Sequence, residues 1–359
     1  MRRSAMEKNT SEIKPIVGKN VKVQNQNSFW GKRLKQLREV IIPYQWRVLN
    51  DEISGVPKSH AIENFRIASG LSTGEFYGMV FQDSDVAKWI EAASYCLMDQ
   101  YDLGLEGLLD KVIDLIIKAQ QPDGYLDTYF IIKESNKRWT NLREKHELYS
   151  AGHMIEAAIA HYQATGKTNF LKAATRLADH IFSKFGPEKN KRKGYPGHPE
   201  IEMALIKLYR VVRDLRYLKL AEFFVNERGR KPSYFDIEAE ERGGENSPWP
   251  FWTHEYCQDH LPVREQKEAV GHAVRAMYLY SAMADLGYET NDETLIETVS
   301  YTHLRAHETP EHLVCRLLLE KKKKKTNTKT KQNKKYNTPK INTNTHTLQT
   351  TTTNIPTLS

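Results

Sequence analysis

The chain is 359 residues long with a formal net charge of +8 and a pI near 9.1, a balance that ordinarily points to nucleic acid or an anionic membrane surface. The excess is confined to one end: residues 299–359 hold 12 Lys/Arg against 3 Asp/Glu, which leaves the first 298 residues at −1. A near-neutral body without a basic stripe argues against nucleic-acid binding, and no run reaches the ~18 apolar residues of a membrane span.

Residues 1–25 read as a loose N-terminal arm, extended around Val21-Lys22-Val23, and no apolar stretch follows the polar start as a secretion signal would require. Trp30 to Asn50 has a helical pattern broken at Pro43. There Tyr44 and Trp46 flank Gln45, an arrangement that serves a sugar platform or the core equally well. Asp51 to Phe76 is irregular, with a short helix at 59–65, where His60 and Glu63 fit a structural role as well as a functional one. Ser84 or Asp83 is expected to cap a helix over Val86–Met98, and Leu103–Gln120 is its partner, stopped by Pro122 and Gly124. Asp123 reads as a cap, and Asp127 as a cap or a cavity residue.

Helical hairpins follow at 147–184, 198–228 and 267–298. A Gly-His pair is expected to open each of them: Gly152-His153, Gly197-His198 and Gly271-His272. Each pair precedes apolar residues at i, i+3, i+4 and i+7, such as Ile201, Ala204, Leu205 and Leu208. The second helices of the first two share aromatic-Leu-Lys-x-Ala, at Phe170–Ala174 and Tyr217–Ala221, so the unit repeats. A lone Gly-His before a helix is ordinarily a turn and a half-buried or capping side chain. Three in matching places of hairpins stacked into a ring would converge on one cavity, where neutral imidazoles suit a polyhydroxyl ligand. No His-x-x-x-His or Cys-x-x-Cys spacing accompanies them, so metal ligation is the weaker expectation. Residues 229–264 form a long loop rich in Gly, Pro, Trp and acids, in which Trp249 and Trp252 suit either sugar stacking or a packed lid. The run from Trp252 to His260 reads as a polar loop rather than a metal site. Cys96 and Cys257 imply no disulfide framework, which suits a cytoplasmic protein.

Composition changes abruptly after Glu297. Val299–Thr309 and Leu313–Lys325 resemble, in order, the two parts of a translated sequencing-library adapter followed by poly-A, and residues 326–359 fit A-rich read-through. The expected organisation is therefore an arm at 1–25, an incomplete catalytic domain at 26–298, and a non-native, disordered low-complexity tail at 299–359.

Ordered motifs carry a family resemblance. Ile42-Pro43-Tyr44-Gln45-Trp46, Phe81-Gln82-Asp83-Ser84-Asp85-Val86, Asp123-Gly124-Tyr125-Leu126-Asp127-Thr128, His146-Glu147-Leu148-Tyr149, Gly197-His198-Pro199-Glu200-Ile201-Glu202 and Gly271-His272-Ala273-Val274-Arg275 together resemble glycoside hydrolase family 127, the β-L-arabinofuranosidases, from about residue 21 to 297. The resemblance implies an all-α fold, an (α/α)6 barrel truncated here, followed in the family by β-sandwich domains. It implies that Gln45, His153, His198 and His272 hydrogen-bond the arabinofuranose of an arabinofuranose-containing glycoside or oligosaccharide, cleaved by an exo-acting retaining enzyme. It further implies a zinc-held cysteine nucleophile and a general acid/base Glu, whose motifs do not occur in this sequence, so the chain itself is expected to bind no zinc and to be inactive. The hairpins alone would also suit another α/α-ring sugar enzyme, a uronyl hydrolase or epimerase, or a non-catalytic carbohydrate-binding protein. Nothing in the sequence sets the oligomeric state.

Overall fold

A computed structural model describes residues 20–23, 25–244 and 252–306. Most of the arm, Trp249 and the tail from residue 307 lie outside the described residues, and so do the expectations for them. Regular structure among the described residues is helical. The chain enters through α1 (Phe29–Gln36), a π-helical turn at Leu37–Ile41, and α2 (Ile42–Leu49). The break in the first helical stretch is thus this widened turn, which runs directly into α2 just ahead of Pro43. Trp46 packs against the core with its ring 4.9 Å from that of Trp89, whereas Tyr44 is exposed.

After α3 (Ala61–Ala68) come α4 (Asp83–Asp99) and α5 (Leu103–Ala119). Asp102 caps α5 by accepting from the Leu105 N–H at 2.9 Å. Neither Asp83 nor Ser84 caps α4, contrary to expectation. Asp83 lies inside the first turn and accepts instead from the Thr128 N–H and hydroxyl at 2.7 and 2.5 Å, tying α4 to the short helix α6 (Thr128–Ile132). Asp127 is the cap of α6, accepting from Phe130 N–H, and Asp123 stabilises its own turn through Tyr125 N–H.

Three hairpins complete the fold: α7 (Glu147–Thr165) with α8 (Asn169–Lys184), α9 (Ile201–Val212) with α10 (Leu215–Glu227), and, beyond α11 (Tyr234–Glu241), α12 (Ala273–Thr290) with α13 (Glu293–Ala306). Helices α4, α7, α9 and α12 pack side by side as an inner row, while α5, α8 and α10 form an outer row behind them and α13 lies against α12. This is the layered arrangement of an α/α barrel. Its logic is visible in burial: α7 is covered on all sides from Glu147 to His161, as an inner helix must be, whereas α8 buries only the stripe that includes Phe170, Ala174, Leu177 and Ile181. The first two turns need a left-handed residue, supplied by Gly166 and by Arg213 at φ 61°.

Two sequence boundaries shift. Gly152-His153 does not precede a helix but lies within α7. Nor does the helical body stop at 298: α13 continues to Ala306, with Thr298 and Thr302 buried and their hydroxyls bonded back up the helix to Thr294 and Thr298. Leu295, Thr298 and Thr302 repeat at helical spacing, so residues 299–306 continue the helix. No helix among the described residues is long and apolar enough to cross a membrane.

Candidate active site

The N-terminal ends of α9 and α12, with the start of α7, surround a hollow of about 510 Å³. His146, Tyr149, His198, Tyr256, His272 and Arg275 line it, with Trp252 at its edge. The two pairs that precede helices deliver their histidines here: the His198 and His272 rings stand 5.9 Å apart. The glycines of these two pairs work alike. A Cβ at Gly197 would lie 2.0 Å from the Arg143 carbonyl oxygen, and one at Gly271, which has φ +75°, would lie 2.0 Å from that of Glu255. Backbone contacts that close leave no room for a side chain.

Arg228 fixes the strand of chain that carries His198. Fully buried, its guanidinium donates to the carbonyls of Pro196 and Cys257 at 2.6 and 2.8 Å and pairs with Glu202 at 3.2 Å. Arg275 performs a similar task from α12, donating to Gly197 O at 3.1 Å while its guanidinium lies 4.5 Å from the Trp252 ring and 4.7 Å from that of Tyr256.

Hydrogen bonding sets the ring nitrogens in opposite senses. His198 Nδ1 lies 2.9 Å from the Pro199 carbonyl, so this nitrogen carries the proton and Nε2 is an acceptor. His272 Nδ1 caps α12 by accepting from the Arg275 N–H at 3.3 Å, which puts its proton on Nε2 as a donor. Burial keeps both neutral: it pushes His198 down to about 2, and it lowers His272, with Arg275 adding to the effect. His146 is pushed down to about 4 by burial and then by Arg275. One hydrogen-bond acceptor and one donor, both uncharged, thus belong to the lining of the hollow.

The other two expected residues do not line this hollow. Gln45 is exposed and lines an adjoining hollow of about 430 Å³ together with Lys88 and Trp89. His153, only 3% exposed, sits one layer back, its ring 4.5 Å from Tyr149 and 5.8 Å from Tyr278. Tyr149 connects the parts: its ring packs 4.4 Å from His198, and its hydroxyl accepts from Lys88 Nζ at 2.8 Å. Sequence reasoning quoted Tyr149 only within a motif, although a position four residues before His153 shares its helix face. Arg275, three residues after His272, carried the same signal.

Neither described cysteine suits the zinc and thiolate that the resemblance implies. Burial pushes the Cys96 and Cys257 thiols up to about 11, and Cys257 Sγ accepts from Arg275 at 3.2 Å. In the 252–260 loop, His254 is taken by Asp259 at 3.0 Å. A group with cation-ligand geometry does occur at Glu91, His153 and Glu156, whose ligand atoms lie within 4.8 Å of one another. Lys207 already pairs with Glu156 there, and the donors include no cysteine, so the group does not fit the thiolate zinc of the resemblance.

Comparison with known proteins decides the family: the model of the β-L-arabinofuranosidase GH127 catalytic domain matches residues 20–306. The chain belongs to glycoside hydrolase family 127. A non-reducing end β-L-arabinofuranosidase of Bifidobacterium longum subsp. longum is 43% identical over 288 residues, covering 75% of this chain and 44% of the relative. The crystal structure of a GH127 β-L-arabinofuranosidase from Geobacillus stearothermophilus T6 matches with a TM-score of 0.76 and 54% identity, covering 77% of this chain and 44% of that one. A second GH127 β-arabinofuranosidase structure matches with a TM-score of 0.69 and 38% identity over 81% of this chain and 43% of its own. The chain therefore spans less than half the length of these family members.

Proposed function

We propose that the hollow between His198 and His272 is the arabinofuranose site of an exo-acting, retaining β-L-arabinofuranosidase, and that its natural ligands are arabinofuranose-containing glycosides or oligosaccharides. The observation that carries this is the pair of neutral imidazoles 5.9 Å apart, one offering an acceptor and one a donor, in a chain of this family. Gln45 and His153 join them as sugar contacts in this proposal. Gln45 would reach in from the adjoining hollow, whose Lys88 donates to the Tyr149 hydroxyl, and His153 would do so past the edge of Tyr149. Stacking on Trp252 at the mouth would hold a second ring. Two buried, unpaired thiols suit a reducing compartment, so we place the protein in the cytoplasm.

Turnover is not expected of this chain. A thiol pushed up to about 11 is protonated at neutral pH and is a poor nucleophile. The lining carboxylate of Glu144 is paired with Arg143 at 3.0 Å rather than standing free as an acid. Zinc, as the resemblance implies it, would supply a deprotonated thiolate, and the residues present do not hold it. The test has two arms. Methyl β-L-arabinofuranoside is expected to bind and to lose affinity by roughly two- to tenfold on His198→Ala or His272→Ala, the worth of one hydrogen bond. An aryl β-L-arabinofuranoside is expected to remain intact, and arabinose release abolished by Cys257→Ala would overturn the second arm.

A further inference from the structure

Behind Tyr149 lies a buried pair that the hollow does not explain. Glu200 is 1% exposed and both its carboxyl oxygens lack a hydrogen-bond partner, as do both ring nitrogens of His153. The two groups face each other with Oε1 3.4 Å from Nδ1. Leaving buried polar atoms unsatisfied is costly, so a shift of a few tenths of an ångström into a hydrogen bond is favoured. Room for the carboxyl is provided by Gly152: a Cβ there would stand 2.6 Å from Glu200 Cγ and 2.9 Å from Ile201 N. The glycine that precedes His153 thus admits the side chain that meets His153.

Surrounding charge decides which partner holds the proton. Burial raises the Glu200 carboxyl well above its usual range, Glu156 adds to this, and Lys207, which is bound to Glu156, opposes it. His153 is pushed down to about 3 by burial, then by Lys88 and Lys207. Glu91 on α4, Tyr149 on α7, Glu202 on α9 and Tyr278 on α12 complete the set of titratable neighbours. Both partners are therefore neutral, with the acid as the donor.

We propose that Glu200 is a positioning residue: it donates to Nδ1 of His153 and so fixes the imidazole proton on Nε2 and the ring that backs Tyr149 at the sugar site. The ligand half of this statement rests on the arabinofuranose reading of the hollow, whereas the tautomer half does not. The full chain labelled with ¹⁵N-histidine tests both, the His153 signal being the one missing from His153→Gln. Without sugar, the wild type is expected to show the Nε2–H tautomer, Glu200→Gln to keep it because an amide also donates, and Glu200→Leu to lose the fixed tautomer. Affinity for methyl β-L-arabinofuranoside is expected to fall by roughly two- to tenfold in Glu200→Leu and to be restored in Glu200→Gln. An Nδ1–H tautomer in the wild type overturns the proposal even if Glu200→Leu fails to fold. An unchanged His153 signal in Glu200→Leu, or a wild-type signal displaced by added zinc, overturns it as well. If the wild type binds no arabinoside but the tautomer behaves as stated, the sugar reading fails and the positioning role stands.

Discussion

Arg228→Met is expected to be among the most damaging single changes in the body of the protein. Arg228 and Glu202 are both fully buried and paired at 3.2 Å, and the same guanidinium donates to Pro196 O and Cys257 O. Removing it leaves a carboxylate without its counter-ion and two carbonyls without donors. Breaking a buried pair from one side costs about 3–5 kcal/mol, a large part of the ~5–15 kcal/mol that holds a typical domain together. The uncompensated charge dominates that cost, so Arg228→Met/Glu202→Leu should recover much of the loss. Glu202 also accepts from Glu200 N–H at 3.1 Å, so about 1 kcal/mol should stay lost. Urea unfolding followed by far-UV circular dichroism gives the four corners of the cycle, with an expected coupling of about 2 kcal/mol or more. A single variant that loses less than about 1 kcal/mol at unchanged slope, or two changes that simply add, would show that the pair does not anchor the loop.

Stability should follow a dome in pH. His146, His153 and His198 are pushed by burial from 6.5 to about 4, 3 and 2, so the unfolded chain takes up protons that the fold refuses, and stability falls as pH drops below about 6.5. Glu147 and Glu238 are raised by burial from 4.5 to about 8 and 7. They contribute stability that is full below about 4.5 and lost as pH rises through 7 to 8. His198→Gln should flatten the acid limb and Glu147→Gln the alkaline one, and an alkaline limb unchanged in Glu147→Gln/Glu238→Gln contradicts the assignment. Arg213→Gly should raise the melting temperature, because it relieves a left-handed residue at φ 61° worth about 1 kcal/mol; a lower one sinks the idea. Val274 and Met277 are 49% and 39% exposed on one face of α12, so the chain should self-associate, and Met277→Lys should shift sedimentation toward monomer.

The hairpins were legible because their apolar residues recur at helical spacing and because Gly166 and the Arg213 turn interrupt that spacing where the chain reverses. His198 and His272 were legible for the same local reason, each standing at or just ahead of a helix start. Gly152-His153 looked identical in sequence, yet its glycine answers to Glu200 and not to a turn. That distinction depends on α9 lying against α7, which no local pattern encodes. Asp83 failed as a cap on the same grounds, since its partner Thr128 belongs to another helix. Gln45 was singled out with the histidines, but its place in the adjoining hollow follows from how α2 packs on α4. The continuation of α13 through residue 306 was hidden for another reason: the change of composition after Glu297 draws attention away from the helical spacing of Leu295, Thr298 and Thr302.

The cations around the hollow bear on which sugar it suits. A uronic acid would require a positive group free to meet its carboxylate. Arg275 is 2% exposed and committed to Gly197 O and Cys257 Sγ. Lys145 donates to the Tyr129 hydroxyl at 2.8 Å and pairs with Glu134 at 3.7 Å. Lys88, in the adjoining hollow, donates to the hydroxyls of Tyr149 and Ser84. Of these only Lys145 is paired with a carboxylate: Arg275 makes both of its bonds through Nη1 and leaves Nε–H without a partner, and Lys88 gives two of its three N–H donors to neutral hydroxyls, so either could receive an anion without breaking a bond. His198 and His272 need break nothing: their Nε2 atoms offer an acceptor and a donor to hydroxyl groups with no change of charge. What separates the proposed arabinofuranose from the uronyl substrate of a related ring-shaped enzyme is therefore family membership together with this neutral donor–acceptor pair, and not a lack of cations around the hollow.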